Sequence, residues 1–484
     1  MIALQVVGLL GSLLFAVAVG DGCLRLLLGR QRGRFPRAAR IGLAFALGEA
    51  AISLWMIGLG FAGLRFSVAA VLPLAVVPLL ARLRERGRGR SVGEKAPAGG
   101  PRLLPVPVAA ALIIASSAVV LLGSFQEPIA EVDAVAHWAM HAKVFTYERT
   151  AFPPFLTAGG VGEGVSHWPP LLPLAQTWSH LVMGAYDDQL IKGIFPAFYL
   201  AVLAVLLGTL RRFLPRGPVL AGVVLWATLP SLIVPFPAGS VASAYADAPL
   251  SLFLVATAAA LLFWVLDRSN RSLILAGICA AAALWMKREG IAFAGVSLVG
   301  VWIGLLFGGR EIRSRSFPAA VGFTMIVAAS VAVQMLYKAR FPGPFTGDPI
   351  DLGFLLSAEG IERTARSGGY LLREAFHPGR WGFLWISLAF LGIARVRRIA
   401  DRPIRLLLFL LAGQLAAALV GMAVSEFSIE RIAHLDMRRV LIQVAPLAAM
   451  AIAFLASPRP EESLSPASIR PRSESPSPRT ARGT

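Results

Sequence analysis

Long apolar runs alternate with short polar links along almost the whole chain. An α-helix needs about 20 apolar residues to cross the hydrocarbon core of a bilayer, and about thirteen runs approach that length. The pattern therefore predicts an all-α, polytopic membrane protein of about 13 transmembrane helices. The predicted spans are residues 3–22, 41–60, 64–83, 103–123, 189–210, 219–237, 248–266, 272–286, 290–308, 318–338, 382–395, 404–424 and 438–456.

The composition supports a membrane protein. Of 484 residues, 56% are hydrophobic and 15% are charged, whereas a soluble domain averages about 25% charged residues. The two cysteines, Cys23 and Cys279, lie in apolar runs, which favours neither a disulfide framework nor a cysteine metal site. The first run lacks a basic n-region and a clear cleavage site, so we expect a retained helix rather than a signal peptide.

The polar links fall into two alternating sets. One set holds most of the 46 lysines and arginines, which by the positive-inside rule predicts that these links lie in the cytoplasm and the N-terminus outside. The net charge of +19 does not indicate a nucleic-acid partner, because the basic residues come in short bursts without stacking aromatic residues. The predicted location is the cytoplasmic (inner) membrane, in which the protein contacts membrane lipids.

The other set of links is predicted to face the periplasm or cell exterior. It includes a long loop, residues 124–188, with interfacial helices, and all six histidines fall on this set. Residues 1–456 are predicted to form one transmembrane domain, and residues 457–484, which lack apolar periodicity, a disordered cytoplasmic tail. Chemistry is therefore expected at the outer face.

The stretch "EVDAVAHWAMHAK", Glu131 to Lys143, concentrates polar side chains after an apolar run. Asp133, His137 and His141 are spaced four apart, which places them on one face of a predicted helix. They are candidate ligands of a divalent metal ion, although three such residues do not complete a site. The plainer interpretation is an interfacial helix with a wet polar face.

Two further constellations lie at predicted helix ends on the outer face. Asp247 precedes Pro249 in "YADAPLSLF", where it either caps a helix or shares an outer cavity with Asp133. Lys287 and Arg288 in "ALWMKREGIAF" separate two spans, where they either bind a lipid phosphate or extend toward lipid head groups.

A cationic stretch, "SIERIAHLDMRRV", precedes the last span. Arginine clusters bind phosphate in bidentate fashion, so this stretch is a second candidate phosphate site, with internal salt bridges as the alternative. Its candidate phosphate-binding residues are Arg431, His434, Arg438 and Arg439.

The chain resembles the polytopic GT-C glycosyltransferases, such as protein O-mannosyltransferases and lipid A aminoarabinose transferases. The resemblance rests on the order of five motifs and on the side of the membrane at which each is predicted to lie: "DAVAHWAMHAK", "HWPPLLPL", "YADAPLSLF", "ALWMKREGIAF" and the final arginine stretch. The resemblance implies inverting transfer of a sugar from a polyprenyl-phosphate carrier to a lipid, glycan or protein acceptor at the outer face. It assigns Asp133 as catalytic base or acceptor-positioning carboxylate, leaves Glu131 as the alternative, and makes Asp247 a second acid. Lys143 and Lys287 fall within matching motifs as cations for the lipid phosphate.

The chemistry of a glycosyl phosphate fits these residue types. The donor already carries its leaving group, so one carboxylate to deprotonate the acceptor and a few cations suffice. Two other classes remain open: a transporter or flippase of a lipid-linked sugar, and an enzyme similar to O-antigen ligases or polymerases. A structural scaffold is a third alternative, which would leave the polar residues without a role.

Overall fold

The computed structural model describes residues 1–85, 104–157, 168–234, 239–341, 352–425, 428–431 and 436–458. Every regular element among them is a helix, which confirms the all-α prediction. The helices of the first half are α1 (Ile2–Leu28), α2 (Arg37–Phe61), α3 (Val68–Val71), α4 (Val76–Glu85), α5 (Val106–Ser124), α6 (Met140–Glu148), α7 (Pro154–Thr157), α8 (Leu171–Met183), α9 (Ile194–Phe213), α10 (Arg216–Ala227) and α11 (Pro230–Ile233).

The helices of the second half follow in the same way. They are α12 (Asp247–Asp267), α13 (Asn270–Met286), α14 (Glu289–Leu306), α15 (Arg310–Lys338), α16 (Leu352–Leu356), α17 (Ala358–Ala375), α18 (Pro378–Trp381), α19 (Leu384–Ala394), α20 (Arg402–Ala423) and α21 (Met437–Ala456). A π-helix, Ala134–Ala139, precedes α6, and short 3-10 helices include Leu72–Ala75 and Val241–Ser243.

Nine helices of the described residues, rather than thirteen, are long and apolar enough to cross a membrane: α1, α2, α5, α9, α12, α14, α15, α20 and α21. Three further predicted spans correspond to the apolar but shorter α10, α13 and α19. The predicted span 64–83 breaks into α3, a 3-10 helix and α4. Pro73 and Pro78 explain the break, because each removes a backbone donor from the helical ladder.

The centre of the molecule is formed by α12 and α21. In their most apolar 18-residue windows 89% and 94% of residues are buried, against 22% for α1 and α5, which leave most of their surface exposed. A helix that is apolar on all sides is buried by its neighbours, and α12 packs on α9, α13 and α21. Polar residues at the ends of these two helices are therefore held by the core.

A close helix crossing joins α1 to α2 through small residues. A Cβ atom at Gly20 would lie 1.7 Å from the carbonyl oxygen of Ala44, and one at Gly48 would lie 1.8 Å from that of Ala16. Ala16 and Gly20, like Ala44 and Gly48, are four residues apart, the spacing that lets two membrane helices approach at their backbones. This crossing fixes α2 against the rest of the bundle.

We predict that Gly48→Leu destabilises the protein by about 1–3 kcal/mol or more, because the side chain must push α1 away from α2. The midpoint of thermal unfolding in detergent measures the loss. Gly58→Leu, on the same helix but with open space around its Cβ position, is the matched control and should leave the midpoint near that of the unaltered protein. Equal midpoints for the two variants would contradict the close crossing.

Candidate functional site

Asp247 lies in the first turn of α12 and is completely buried, with 0% of its side chain exposed. Ala246 rather than Asp247 is the residue that caps the helix, and no side chain forms a capping bond there. The carboxylate instead accepts hydrogen bonds from Lys287 Nζ at 2.7 Å and Gln443 Nε2 at 2.6 Å through Oδ1, and from Arg439 Nε at 3.0 Å through Oδ2. Asp247 therefore joins three segments: the turn after α13, α12 and α21.

Lys287 occupies the tight reversal between α13 and α14. Gly290 permits that reversal, because a Cβ atom there would lie 1.9 Å from the carbonyl oxygen of Ala283. The ammonium group also lies 2.7 Å from the carboxylate of Glu289, and only 3% of the Lys287 side chain is exposed. Lys287 thus lies between two carboxylates.

Arg439, in the first turn of α21, connects the predicted carboxylates. Its Nε donates to Asp247, while its Nη1 donates to Asp133 Oδ2 at 2.6 Å and to Asp436 Oδ1 at 3.2 Å. Asp133 and Asp247, 114 residues apart in sequence, therefore contact the same guanidinium. Asp133 differs from Asp247 in access, since 36% of its side chain is exposed against 0%.

The loop before α12 shapes the pocket of Arg439. Ala244 has a φ of 62°, a left-handed conformation that costs a non-glycine residue on the order of 1 kcal/mol and is retained where surrounding structure enforces it. The next residue, Tyr245, places its ring 4.5 Å from the Arg439 guanidinium. Gly239, at φ 95°, leaves room for the aliphatic stem of Arg439. The strained turn thereby aligns one aromatic ring with the central cation.

Aromatic and basic side chains border the exposed side of the cluster. The His137 ring stacks on Trp168 with a centroid distance of 4.3 Å, and the Arg288 guanidinium lies 4.5 Å from the same indole. Burial lowers the pKa of His137, although the Asp133 carboxylate opposes the shift. Burial therefore favours the neutral form of the His137 imidazole.

The segment that carries Asp133 differs from the predicted regular α-helix. It forms a π-helix over Ala134–Ala139, a wide turn that is frequent at functional sites, before continuing as α6. His141 is buried, with its Nδ1 2.6 Å from the carbonyl oxygen of His137. Within the described ranges no group of three His, Cys, Asp or Glu side chains is placed to bind a metal ion, and Lys287 and Arg439 bridge the carboxylates instead.

The cluster is acidic on balance. It contains four carboxylates and two cations, which gives a formal charge of −2. The carboxylates belong to Asp133, Asp247, Glu289 and Asp436, and the cations are Lys287 and Arg439. Burial raises the pKa of Asp436, opposed by the nearby Arg439. Since both cations already pair with carboxylates, the cluster favours groups that donate hydrogen bonds, such as hydroxyls, over phosphates.

Glu131 and Lys143 lie apart from this cluster. Glu131 lines a small cavity of about 50 Å³ together with Lys192, whose Nζ donates to the backbone oxygen of Glu127 at 3.0 Å. Lys143 is exposed, with its Nζ 5.4 Å from the ring centroid of Tyr186. The structure thus brings Asp133, rather than Glu131, to Arg439.

The arginines predicted to form one cluster before the last span contact different partners. Arg438 points to Glu374, with Nε 3.6 Å from Oε1, because neighbouring residues on a helix face directions about 100° apart. Glu374 also binds Arg380 and accepts a bond from Trp381 Nε1. Arg431 is exposed, and His434 lies outside the described residues.

Sequence reasoning missed Gln443 and assigned no role to Glu289. Both carried a signal: Gln443 follows Arg439 by four residues as the one polar side chain in "VLIQVAPLAAM", and Glu289 follows Lys287 by two. Gln443 lies one turn from Arg439 on the same helix face, so it reaches the same carboxylate, Asp247.

No protein-family model matches this chain, and no curated protein matches it. The resemblance to the GT-C glycosyltransferases therefore stays a prediction from the motifs.

We predict that Asp247 and Lys287 stabilise the fold as a unit. Asp247→Asn should cost about 3–5 kcal/mol, because it leaves the ammonium of Lys287 and the guanidinium of Arg439 buried with one carboxylate fewer. Lys287→Met should cost less when Asp247 is already Asn, with a coupling of about 1–3 kcal/mol. Unfolding of the four proteins in mixed detergent micelles measures this double-mutant cycle.

The matched control is the ion pair between Arg366 and Glu430, whose side chains are 50% and 54% exposed. Its cycle, Arg366→Gln with Glu430→Gln, should give a coupling below about 1 kcal/mol, since exposed ion pairs stabilise little. Additive losses at Asp247 and Lys287 would contradict a shared buried network.

Proposed function

We propose that this protein is a GT-C-like glycosyltransferase that moves a sugar from a polyprenyl-phosphate carrier to an acceptor at the outer face of the cytoplasmic membrane. The observation that supports it is the shared contact of Asp133 and Asp247 with Arg439, where α12, α14 and α21 begin. A donor anchored in the bilayer presents its reacting carbon at the level of such helix ends.

Asp133 is the catalytic carboxylate of this proposal. Its side chain is the more exposed of the two that meet Arg439, and that guanidinium orients it. The acceptor hydroxyl oxygen attacks the anomeric carbon, its proton passes to Asp133, and the bond from that carbon to the phosphate oxygen breaks. Polyprenyl phosphate leaves, and a single displacement of this kind inverts the anomeric configuration.

Asp247 is a positioning residue rather than a second acid. It is fully buried, and its oxygens accept hydrogen bonds from Lys287, Gln443 and Arg439. Its role is to hold Arg439 in contact with Asp133. Among the predicted phosphate-binding residues, Arg288 is the best placed, since it borders the cluster on Trp168, while Lys143 and Arg438 contact other groups. In this proposal the donor phosphate binds beside Arg288, at the edge of the cluster, and not among the four carboxylates.

The distribution of charge supports an outer location for this site. The helices α12 and α14 begin at the cluster and end beside Arg268 and Arg310, in the basic links. The positive-inside rule places such links in the cytoplasm, so the cluster falls at the opposite boundary. Residues 124–188 form the main outer loop of this proposal.

Asp133→Asn is expected to lower transfer by about 100-fold or more, because the amide cannot accept the acceptor proton. The assay uses the full chain in liposomes with a panel of radiolabelled polyprenyl-phosphate hexoses and pentoses and extracted envelope glycans and lipids. It measures release of polyprenyl phosphate and label in the acceptor fraction. Glu131→Gln, an equal charge change two residues away, should retain transfer.

Full activity of Asp133→Asn, or equal losses in both variants, would contradict the assignment of Asp133. A flippase would move the labelled donor across the liposome and leave it intact. Absence of transfer by the unaltered protein across the whole panel, with movement of intact donor, would replace the proposal with that alternative.

A further inference from the structure

A cavity of about 540 Å³ lies at the opposite end of α12 from Asp247. The helix separates the two regions by about 30 Å, since it rises about 1.5 Å per residue over its 21 residues. The ends of α12 and α14 and the starts of α15 and α20 form its walls. Its volume lies in the usual range of small-molecule sites, about 300–1,000 Å³.

Glycines at the end of α14 line the cavity. Gly300 and Gly304 on the helix, and Gly308 just after it, are spaced four apart, and the side chains of Ile303 and Phe307 line the cavity beside them. A Cβ atom at Gly304 would lie 3.3 Å from the Trp264 ring, and one at Gly300 would lie 3.0 Å from the Phe409 ring. The two rings therefore lie directly against the glycine positions, and the cavity continues beside them along Ile303, Phe307 and Leu406.

Arginines surround the entrance of this groove. Arg268 lies 3.9 Å from Glu311, whereas no carboxylate among the described residues pairs with Arg315, Arg402 or Arg405. Arg402 and Arg405 lie in the first turn of α20, where the helix dipole is already positive. An anion at the entrance would relieve the repulsion among these cations.

We propose that this cavity binds an anionic glycerophospholipid of the membrane. The head-group phosphate lies among Arg315, Arg402 and Arg405, and one acyl chain follows the glycine face between Trp264 and Phe409. This site is separate from the cluster around Arg439, and it does not depend on the proposed function.

The length of the groove favours an acyl chain over a polyprenyl chain. From Gly308 to Gly300 it runs about 12 Å, at about 1.5 Å per residue. That length approaches half of the roughly 30 Å hydrocarbon core, which is the depth that one acyl chain occupies in its leaflet. A polyprenyl chain is several times longer and would leave most of its length outside.

The test titrates dioleoyl phosphatidylglycerol into the full-length protein in neutral detergent, with native mass spectrometry and the thermal midpoint as readouts. We expect saturable binding and a higher midpoint, and neither with dioleoyl phosphatidylcholine or sodium phosphate. Arg402→Gln with Arg405→Gln should weaken binding about tenfold or more. Arg211→Gln with Arg216→Gln, exposed arginines at the same end of the bundle but outside the cavity, should bind as the unaltered protein does.

Gly304→Leu tests the acyl-chain contact independently of the head-group contact, because the leucine side chain fills the groove without changing a charge. It should weaken binding of phosphatidylglycerol to a similar degree; unchanged binding by folded Gly304→Leu would overturn the acyl-chain position. Three further results would overturn the site: equal binding of phosphatidylcholine, full competition by sodium phosphate, or equal losses in the two arginine double variants. Tighter binding of decaprenyl phosphate than of phosphatidylglycerol would overturn the choice of lipid.

Discussion

The structure depends on a buried set of charges that must pair with one another. Moving a carboxylate and two cations out of water costs several kcal/mol for each ion, and direct contact with good hydrogen-bond geometry is needed to offset that cost. Asp247 meets this condition by receiving bonds from Lys287, Arg439 and Gln443. Asp247 and these partners come from three segments, so the ion cluster fixes the relative positions of α12, α21 and the turn before α14.

This constraint also explains the difference in exposure between the two carboxylates. Asp247 is fully buried and holds Arg439 in place, while Asp133 contacts the same guanidinium from its exposed side. An arginine can serve both because its planar fork presents separate donors to separate acceptors. The position of the accessible carboxylate is therefore set by a fully buried residue.

The sequence predicts the helical class and much of the cluster, and it fails where tertiary contacts decide. A long apolar run is found both in helices that lie in lipid and in helices buried inside the protein. The apolar pattern therefore predicts α10, α13 and α19 as membrane spans, although they are shorter helices. Asp133, Asp247, Lys287 and Arg439 are identifiable because charge is rare in such runs. The separation of Arg438 from Arg439, and of Glu131 from Asp133, depends on which helix packs against each face, which single-sequence patterns do not contain.

The π-helix at Ala134–Ala139 has a consequence for how the chain tolerates change in length. A π turn holds about one residue more than an α turn, because its hydrogen bonds span five residues instead of four. Removing one residue from "AVAHWA" would allow an ordinary α-helix to run into α6 with little change of angle, because an α turn completes the same full rotation with about one residue fewer. Asp133 would then stay close to Arg439, whereas removing a residue from the regular helix α6 would turn everything before it by about 100°. The π turn therefore absorbs one extra residue and preserves the angular register of the Asp133 carboxylate.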